Sequence, residues 1–159
     1  MGTKTKIILS DVLVFPSKNI NKYLPHYTIM KNGSIKKHYS IDDETSYFNE
    51  YVDSCKVIFI GLQNKGNLFK GKTIFNEILK ETILTPDWKF YNEYDRYTDD
   101  QYLTLNKLLN DFCSIYNIER SIVQSNDYSY KEYGVMCKSN FSYMSYDVNP
   151  SFDFNKLKI

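Results

Sequence analysis

Residues that commonly carry chemistry are scarce in this sequence. Its 159 residues include two histidines, three cysteines and six glycines, and it contains no Gly-rich phosphate-binding loop, no G-x-S-x-G motif and no H-E-x-x-H zinc motif. The cysteines show no Cys-x-x-Cys spacing, which indicates reduced thiols in a cytoplasm rather than a zinc knuckle. The sequence therefore excludes the common catalytic motifs.

Long apolar runs and an excess of one charge are also lacking. No run approaches the roughly 20 residues that span a bilayer, and 20 basic against 19 acidic side chains give a net charge of +1. These properties disfavour membrane association and bulk nucleic-acid binding. A chain of this length forms one domain with its own core, so we expect a single domain over residues 1–159. No pattern bears on the oligomeric state.

Aromatic residues, in contrast, are abundant, with 15 Tyr and 10 Phe against one Trp. Together with many Asn, Lys and Ile, they are typical of A/T-rich codon usage, which is common in phages and in some low-GC bacteria. Aromatic stacking on a ligand is the alternative explanation.

Apolar periodicity predicts strands early in the chain and one long helix later. Thr98 and Gln101 form a capping box, and apolar residues recur at helical spacing to about Tyr116. The turn Lys31-Asn32-Gly33 joins two strand-like runs as a hairpin. The other predicted elements are a strand over 6–15 ended by Pro16, a central strand over 56–63, a helix near 73–81 followed by a long loop, a short strand from Ser121, an irregular Tyr-rich stretch to 146, and a terminal helix opened by Pro150.

Four segments, in this order, resemble the zinc-dependent N-acetylmuramoyl-L-alanine amidases, the family that includes phage lysozyme-amidases and peptidoglycan recognition proteins. HYTIMKNGSI is similar to the family's hairpin, SCKVIFIG to its central strand, YTDDQYLTLNKLLNDFCSIYNIERSIV to its long helix and next strand, and DVNPSFDF to its closing turn. The resemblance implies an α/β fold with a mixed central β-sheet flanked by helices. A generic α/β domain with coincidental matches is the alternative.

The resemblance also implies a zinc site, which this sequence does not retain. Family members hold one zinc with two histidines and an Asp or Cys, and a water in the fourth position attacks the amide. The first histidine matches Ser10, or Asp11 if the register shifts by one. The second matches Ser125, or Lys138 in a later register, and the third ligand matches Asp147. We therefore expect no metal, no cofactor and no amidase activity.

Other family positions are also changed. Two further catalytic positions match Pro25 and Ser145, which cannot replace the family's tyrosine and cation. The two histidines, His26 and His38, lie on the predicted hairpin, where a relocated zinc site is less favoured than a structural role. Only KNINKYL, residues 18–24, precedes that hairpin, so the family's groove-lining helix is expected to be missing or reduced to one turn.

Tyrosine beside Lys, Asn and Ser recurs over residues 128–146, a composition typical of binding surfaces. The family has only a brief connection there, over its active site. We expect this segment and the former cleft to bind a ligand, and a plain solvent-exposed loop is the alternative. The predicted binding residues are Ser10, Asp11, Ser125, Tyr130, Tyr133, Lys138, Tyr143, Tyr146 and Asp147.

The sequence thus predicts a catalytically inactive amidase-like binding protein. We expect it to be encoded by a phage, to act in the host cytoplasm, and to capture a small-molecule ligand or inhibit a host protein. A peptidoglycan-fragment binder and an amidase with atypical ligands are the two alternatives.

Overall fold

A five-stranded mixed β-sheet with one long helix against it forms the centre of the structure, a computed structural model. The structure describes residues 3–12, 24–43, 56–141, 145 and 148–159. The strands are β1 (Lys6–Val12), β2 (Tyr27–Ile29), β3 (Ile35–Lys37), β4 (Val57–Gln63), β5 (Thr82–Trp88), β6 (Tyr91–Asp95) and β7 (Gly134–Cys137). The helices are α1 (Asp99–Ile115), the short α2 (Lys138–Phe141) and a 3-10 turn (Phe154–Lys156). The predicted α/β class is confirmed.

The strand order in the main sheet is β3-β2-β4-β1-β7. β1 pairs in parallel with both β4 and β7, and β2 pairs in parallel with β4. β3 is antiparallel to β2, which makes the sheet mixed. The prediction of a central strand over 56–63 is confirmed, because β4 lies in the middle of this order.

Both faces of β1 and β4 are covered, which explains their almost continuous apolar sequence. Ile7 and Leu9 belong to the larger core cluster, which also contains the buried face of α1. Ile8 and Phe59 belong to a second cluster that includes Met136 of β7. Alternate residues of β1 therefore pack into two separate core clusters, one on each face of the sheet.

The capping box of α1 is present as predicted. The Thr98 hydroxyl accepts from the backbone N–H of Gln101 at 3.1 Å, and the Gln101 side chain accepts from the Thr98 N–H at 3.0 Å. The buried Gln101 amide also donates to the carbonyls of Ile29 and Gln63, at 3.2 and 2.9 Å. Gln101 thereby joins the start of α1 to the ends of β2 and β4.

The predicted hairpin is confirmed as β2 and β3. At its turn Gly33 has a φ of +81°, which an L side chain rarely adopts, and a Cβ there would lie 2.9 Å from the Asp100 carbonyl oxygen. The Thr104 hydroxyl donates to the Gly33 carbonyl at 2.7 Å. Glycine is therefore required because the turn packs directly against the first turns of α1.

The predicted helix near 73–81 is wrong. Asn76 has a φ of +62°, and the Thr73 N–H donates to the Glu77 carbonyl at 2.9 Å, in a turn rather than a helix. Ile74 and Ile78 remain 65% and 78% exposed, so an amphipathic helix would have no core surface to pack against here. The long loop that follows is in fact the antiparallel hairpin of β5 and β6. We call residues 64–95 the hairpin lobe.

Two later predictions are also corrected. The strand beside β1 is β7, inside the stretch predicted to be irregular, whereas the segment from Ser121 makes only an isolated bridge between Ile122 and Val135. The terminal helix is a single 3-10 turn, with Asp153 accepting from the Asn155 N–H at 3.0 Å. The strand β7 has four residues and the 3-10 turn has three. Hydrophobic periodicity cannot be detected in segments this short.

Three further expectations concern the cysteines, the connection before the hairpin and membrane-spanning helices. Cys113 and Cys137 are buried and form no disulfide, and Cys55 lies outside the described residues. The shortened connection before the hairpin, residues 18–24, lies outside them except for Leu24. In the described parts of the chain, no helix has the length and apolar character needed to cross a membrane.

Candidate functional site

The carboxyl ends of the parallel strands bring together the first predicted site residues. Ser10 and Asp11 lie near the carboxyl end of β1, paired with Gly61 and Leu62 of β4. On the other side of β1 the last register pair is Leu9 with Cys137, so Ser10 and Lys138 are the next residues, and Lys138 is the first residue of α2. Ligands of open α/β sheets commonly bind outside this edge. Lys138, one of the two positions that the resemblance matches to the family's second histidine, therefore directly follows the end of β7.

Ser10 and Asp11 face opposite sides of the sheet. Ser10 shares the face of Ile8 and is fully buried, whereas Asp11 shares the face of Ile7 and Leu9, on the side of α1. Two adjacent residues on one strand therefore cannot both point into one cleft.

Asp11 is held by a buried network that sequence reasoning missed. Its carboxylate accepts from the Tyr97 hydroxyl and, at 3.2 Å, from the Asn149 side-chain amide. The Tyr97 hydroxyl in turn accepts from the Asn149 N–H at 3.1 Å. Asn149 also donates to the Asn64 side chain at 3.0 Å, which links the ends of β1 and β4 to the closing turn.

A second carboxylate continues this arrangement. The buried Asp95 forms an ion pair with Lys31 at 2.9 Å and accepts from the Lys65 N–H at 2.7 Å. Its backbone carbonyl accepts from the side chains of Asn64 and Ser151, at 3.2 and 2.9 Å. We call these residues the Asp11–Asp95 network: Asp11, Lys31, Asn64, Asp95, Tyr97, Asn149 and Ser151.

The closing turn is fixed by aromatic packing as well as by the Asp11–Asp95 network. The ring of Phe152 lies 5.2 Å from the rings of both Tyr97 and Tyr102, and 5.0 Å from that of Phe154. Burial raises the pKa of Tyr102 to about 12, and its hydroxyl accepts from the Asp153 N–H at 2.8 Å. The segment that resembles the family's closing turn therefore packs against α1.

Ser125 lies on a loop tied to α2 rather than at a strand end. Its carbonyl accepts from the side chain of Asn140 at 2.5 Å, and the same amide donates to the Asp127 carbonyl at 2.8 Å. The Asn140 oxygen accepts from the Cys137 N–H at 2.7 Å. This buried asparagine positions the start of the Tyr-rich segment.

The described tyrosines of that segment do not gather at the carboxyl edge. The Tyr130 hydroxyl accepts from Lys6 at 3.0 Å and its ring packs against Phe141, with centroids 5.3 Å apart. Lys6 begins β1, so Tyr130 lies at the opposite end of that strand from Ser10 and Asp11. Tyr133 is half exposed. Tyr143, Tyr146 and Asp147 lie outside the described residues.

The hairpin lobe contacts the Tyr-rich segment, a contact that the sequence did not indicate. Lys89, in the turn between β5 and β6, donates to the Ser145 carbonyl at 2.5 Å. The neighbouring Trp88 donates its indole N–H to the Asp127 carboxylate at 3.0 Å. The structure thus brings a cation to Ser145, although no cation stands at that position in the sequence.

Both histidines have hydrogen-bonding roles on the hairpin. The Nδ1 atom of His26 accepts from the Phe59 N–H at 3.0 Å, so the proton is on Nε2, which donates to the Asp43 carbonyl at 3.0 Å. His38 pairs through Nε2 with the Thr28 hydroxyl at 2.9 Å. Burial lowers the pKa of each imidazole. Among the described residues, no three His, Cys, Asp or Glu side chains converge as metal ligands would.

Two solved structures have this fold over nearly the whole chain. One is an endolysin N-acetylmuramoyl-L-alanine amidase, LysCS from Clostridium intestinale URNW, with a TM-score of 0.60 and 12% identity over 97% of this chain and 80% of its own. The other is a selenomethionine derivative of AmpD, with a TM-score of 0.60 and 14% identity over 98% of this chain and 83% of its own. No family model and no curated protein sequence matches the chain. The amidase-like fold is confirmed, and at these identities the likeness extends to the fold alone.

Proposed function

We propose that this protein is a catalytically inactive, amidase-like binding protein. It captures a small-molecule ligand or inhibits a host protein, and we place it in the cytoplasm of a phage-infected host. The observation that carries the proposal is the identity of the two residues that follow the last β1–β7 register pair, Ser10 and Lys138. A serine hydroxyl and an ammonium group are not ligands that hold Zn²⁺.

The surroundings of Asp11 support the same conclusion. Its two carboxylate oxygens accept from the Tyr97 hydroxyl and the Asn149 amide, and these bonds hold the group against the segment before α1 and the closing turn. Asp11 faces the opposite side of the sheet from Ser10, so its carboxylate does not add a metal ligand beside Ser10 and Lys138. This edge of the sheet therefore supports recognition better than metal-assisted hydrolysis.

Zinc content and peptidoglycan hydrolysis test the proposal directly. The protein is incubated with zinc, desalted and measured by elemental analysis, and release of L-alanine peptides from peptidoglycan is followed in parallel. We expect no stoichiometric zinc and no release above a blank. About one zinc per chain, or turnover that chelators abolish, would contradict the proposal.

A gain-of-function pair tests the assignment of the strand ends. Ser10→His combined with Lys138→His places two imidazoles at the positions that follow the last β1–β7 pair, whereas Ser10→His combined with Ser125→His places the second one on the loop tied by Asn140. We expect higher zinc affinity only for the first pair. Equal affinities would contradict the assignment of Lys138 to the second lost histidine.

The binding surface is tested at both ends of β1. Lys138→Ala alters the carboxyl edge, and Tyr130→Ala alters the opposite end, next to Lys6. Loss of a central contact commonly costs about 2 kcal/mol, or about thirtyfold in affinity. The proposal requires the Lys138→Ala variant to lose affinity for a ligand or partner that the parent binds. An effect confined to Tyr130→Ala would move the binding surface to the amino end of β1.

Peptidoglycan-fragment binding is the second candidate, because both similar structures are amidases that align over almost the whole chain. Calorimetry with soluble muropeptides distinguishes the two candidates. Saturable binding that Lys138→Ala weakens would favour the second candidate, and no heat of binding would leave the first.

A further inference from the structure

The hairpin lobe contains a cleft of about 570 Å³ away from the strand ends discussed above. Its apolar walls are Phe69, Ile74 and Tyr91, and its polar lining includes Lys70, Lys72 and Asn76. The volume falls in the range of small-molecule sites, roughly 300–1,000 Å³. The cleft is therefore large enough for a small-molecule ligand.

Its rim is held in a defined and unfavourable backbone conformation. Lys70 and Asn76 have φ values of +51° and +62°, in the left-handed region that non-glycine residues seldom occupy. Reciprocal backbone hydrogen bonds between Phe69 and Lys72, at 2.8 and 3.1 Å, close the first turn. The Thr73 hydroxyl closes the second by accepting from the N–H groups of Phe75 and Glu77, at 3.2 and 3.3 Å. Such strain is concentrated at functional sites in proteins.

The cleft carries positive charge. Lys70 and Lys72 line it, and none of its lining residues is acidic. The nearest acid along the chain, Glu77, forms an ion pair with Lys65. In the described part of the chain, no carboxylate forms an ion pair with Lys70 or Lys72. Two ammonium groups are thus available to an anion.

Aromatic surface lies beside these charges. Phe69 is 66% exposed, which leaves its ring open to solvent, and the Lys70 ammonium lies 5.4 Å from the ring centroid. An exposed aromatic wall next to amide and ammonium donors matches a ligand with a flat ring and an anionic group. Neither the Phe69 ring nor the Lys70 ammonium group is part of the buried core.

We propose that this cleft binds a phosphorylated ring compound of about the size of a nucleoside monophosphate. The ring stacks on Phe69 and Tyr91, the phosphate lies between Lys70 and Lys72, and Asn76 offers a side-chain amide to the polar edge of the ring. This proposal does not depend on the proposed function, since the cleft shares no residue with the strand ends or with the Asp11–Asp95 network.

AMP is the probe, and adenosine and inorganic phosphate are its two halves. Backbone amide shifts are followed by NMR during titration of the full chain to millimolar ligand. We expect saturable shifts at residues 67–76 and at Tyr91 with AMP, and at least about tenfold weaker binding of each half. No shifts with AMP, or an equal response to phosphate alone, would overturn the proposal.

Matched variants complete the test. Lys70→Gln with Lys72→Gln should weaken AMP binding at least about tenfold, whereas Lys36→Gln with Lys37→Gln, on exposed β3, should not. Phe69→Ala should weaken it as well, while Leu103→Ala, which truncates an exposed residue of α1, should have no effect. Thermal melts verify folding of each variant. AMP affinity unchanged by the Lys70 and Lys72 substitutions would overturn the proposal.

Discussion

The hydroxyl of Tyr97 donates a hydrogen bond to the carboxylate of Asp11, across 86 residues of sequence. The same hydroxyl accepts from the Asn149 N–H at 3.1 Å. One oxygen atom therefore joins the end of β1, the segment before α1 and the closing turn.

The Tyr97→Phe variant should destabilise the protein by about 1–3 kcal/mol, because it removes the acceptor of the buried Asn149 N–H and one of the hydrogen bonds to the Asp11 carboxylate while keeping the ring. Urea unfolding monitored by circular dichroism measures the change. Tyr116→Phe is the matched control and should be nearly neutral, since the Tyr116 hydroxyl forms no hydrogen bond with any of the described residues. Equal stabilities of the two variants would refute a stabilising role for the Tyr97 hydroxyl.

Gly61 should not tolerate a side chain. A Cβ at this position in β4 would lie 2.2 Å from Cγ2 of Val12 and 3.0 Å from Cγ of Pro25. Gly61→Ala should therefore cost about 1–3 kcal/mol through overpacking.

Adding Val12→Ala removes the closest atom and should restore part of the stability lost in Gly61→Ala. A double-mutant cycle measures this coupling as the difference between the double variant and the sum of the two single variants. Strict additivity would mean that the close approach of Val12 is not the cause.

The Thr98 cap should contribute measurably to stability. Thr98→Ala removes the bond from the Gln101 N–H at 3.1 Å and the bond to the Lys31 carbonyl at 2.5 Å, so we expect a loss of about 1 kcal/mol or more. Thr98→Ser keeps the oxygen and should retain most of the stability. Thermal denaturation of both variants is the test, and similar losses would implicate the methyl group instead.

Stability should fall on mild acidification because of His26. Burial lowers its pKa below the ordinary value of 6.5, so the folded state favours the neutral ring. Above about pH 6.5 His26 is mostly neutral in both the folded and the unfolded state. As the pH falls below about 6.5 the unfolded state is protonated first, and stability is lost progressively down to the folded-state pKa.

The parent and a His26→Gln variant should consequently differ in the pH dependence of their unfolding free energies. Between pH 7 and pH 5, as an approximate window, the slope should be smaller in the variant, whatever its absolute stability. A His38→Gln variant shows how much of the slope the second imidazole contributes. Identical slopes for the parent and His26→Gln would rule out this assignment.

The elements that the sequence predicted correctly have both a local signal and a partner. α1 has the Thr98 cap, and its apolar stripe, including Leu105 and Leu109, is buried. The segment near 73–81 has similar apolar spacing, but Ile74 and Ile78 face solvent. Hydrophobic periodicity alone does not show whether the fold provides a surface that buries the apolar side chains. Only α1 has such a surface, so only α1 forms.

The candidate site was less predictable because it depends on strand register. The alignment of Leu9 with Cys137 brings Ser10 and Lys138 to neighbouring positions, and nothing in the short strand β7 signals this pairing. Asn149 belongs to an Asn-Pro turn that the sequence identified, but its bonds to Asp11 and Asn64 arise only after folding. The Tyr-rich composition of residues 128–146 predicts a place in the cleft for Tyr130, whereas its bond to Lys6 lies at the other end of β1.

The pairing of β1 with both β4 and β7 has a consequence during synthesis on the ribosome. Lys6 of β1 pairs with Gly134 of β7, so 128 positions separate the two partners along the chain. One edge of an apolar strand must therefore wait until the residues between them have been synthesised before its ladder of hydrogen bonds can form. A nascent chain of this kind is a natural client of ribosome-associated chaperones, and slower elongation would prolong that dependence.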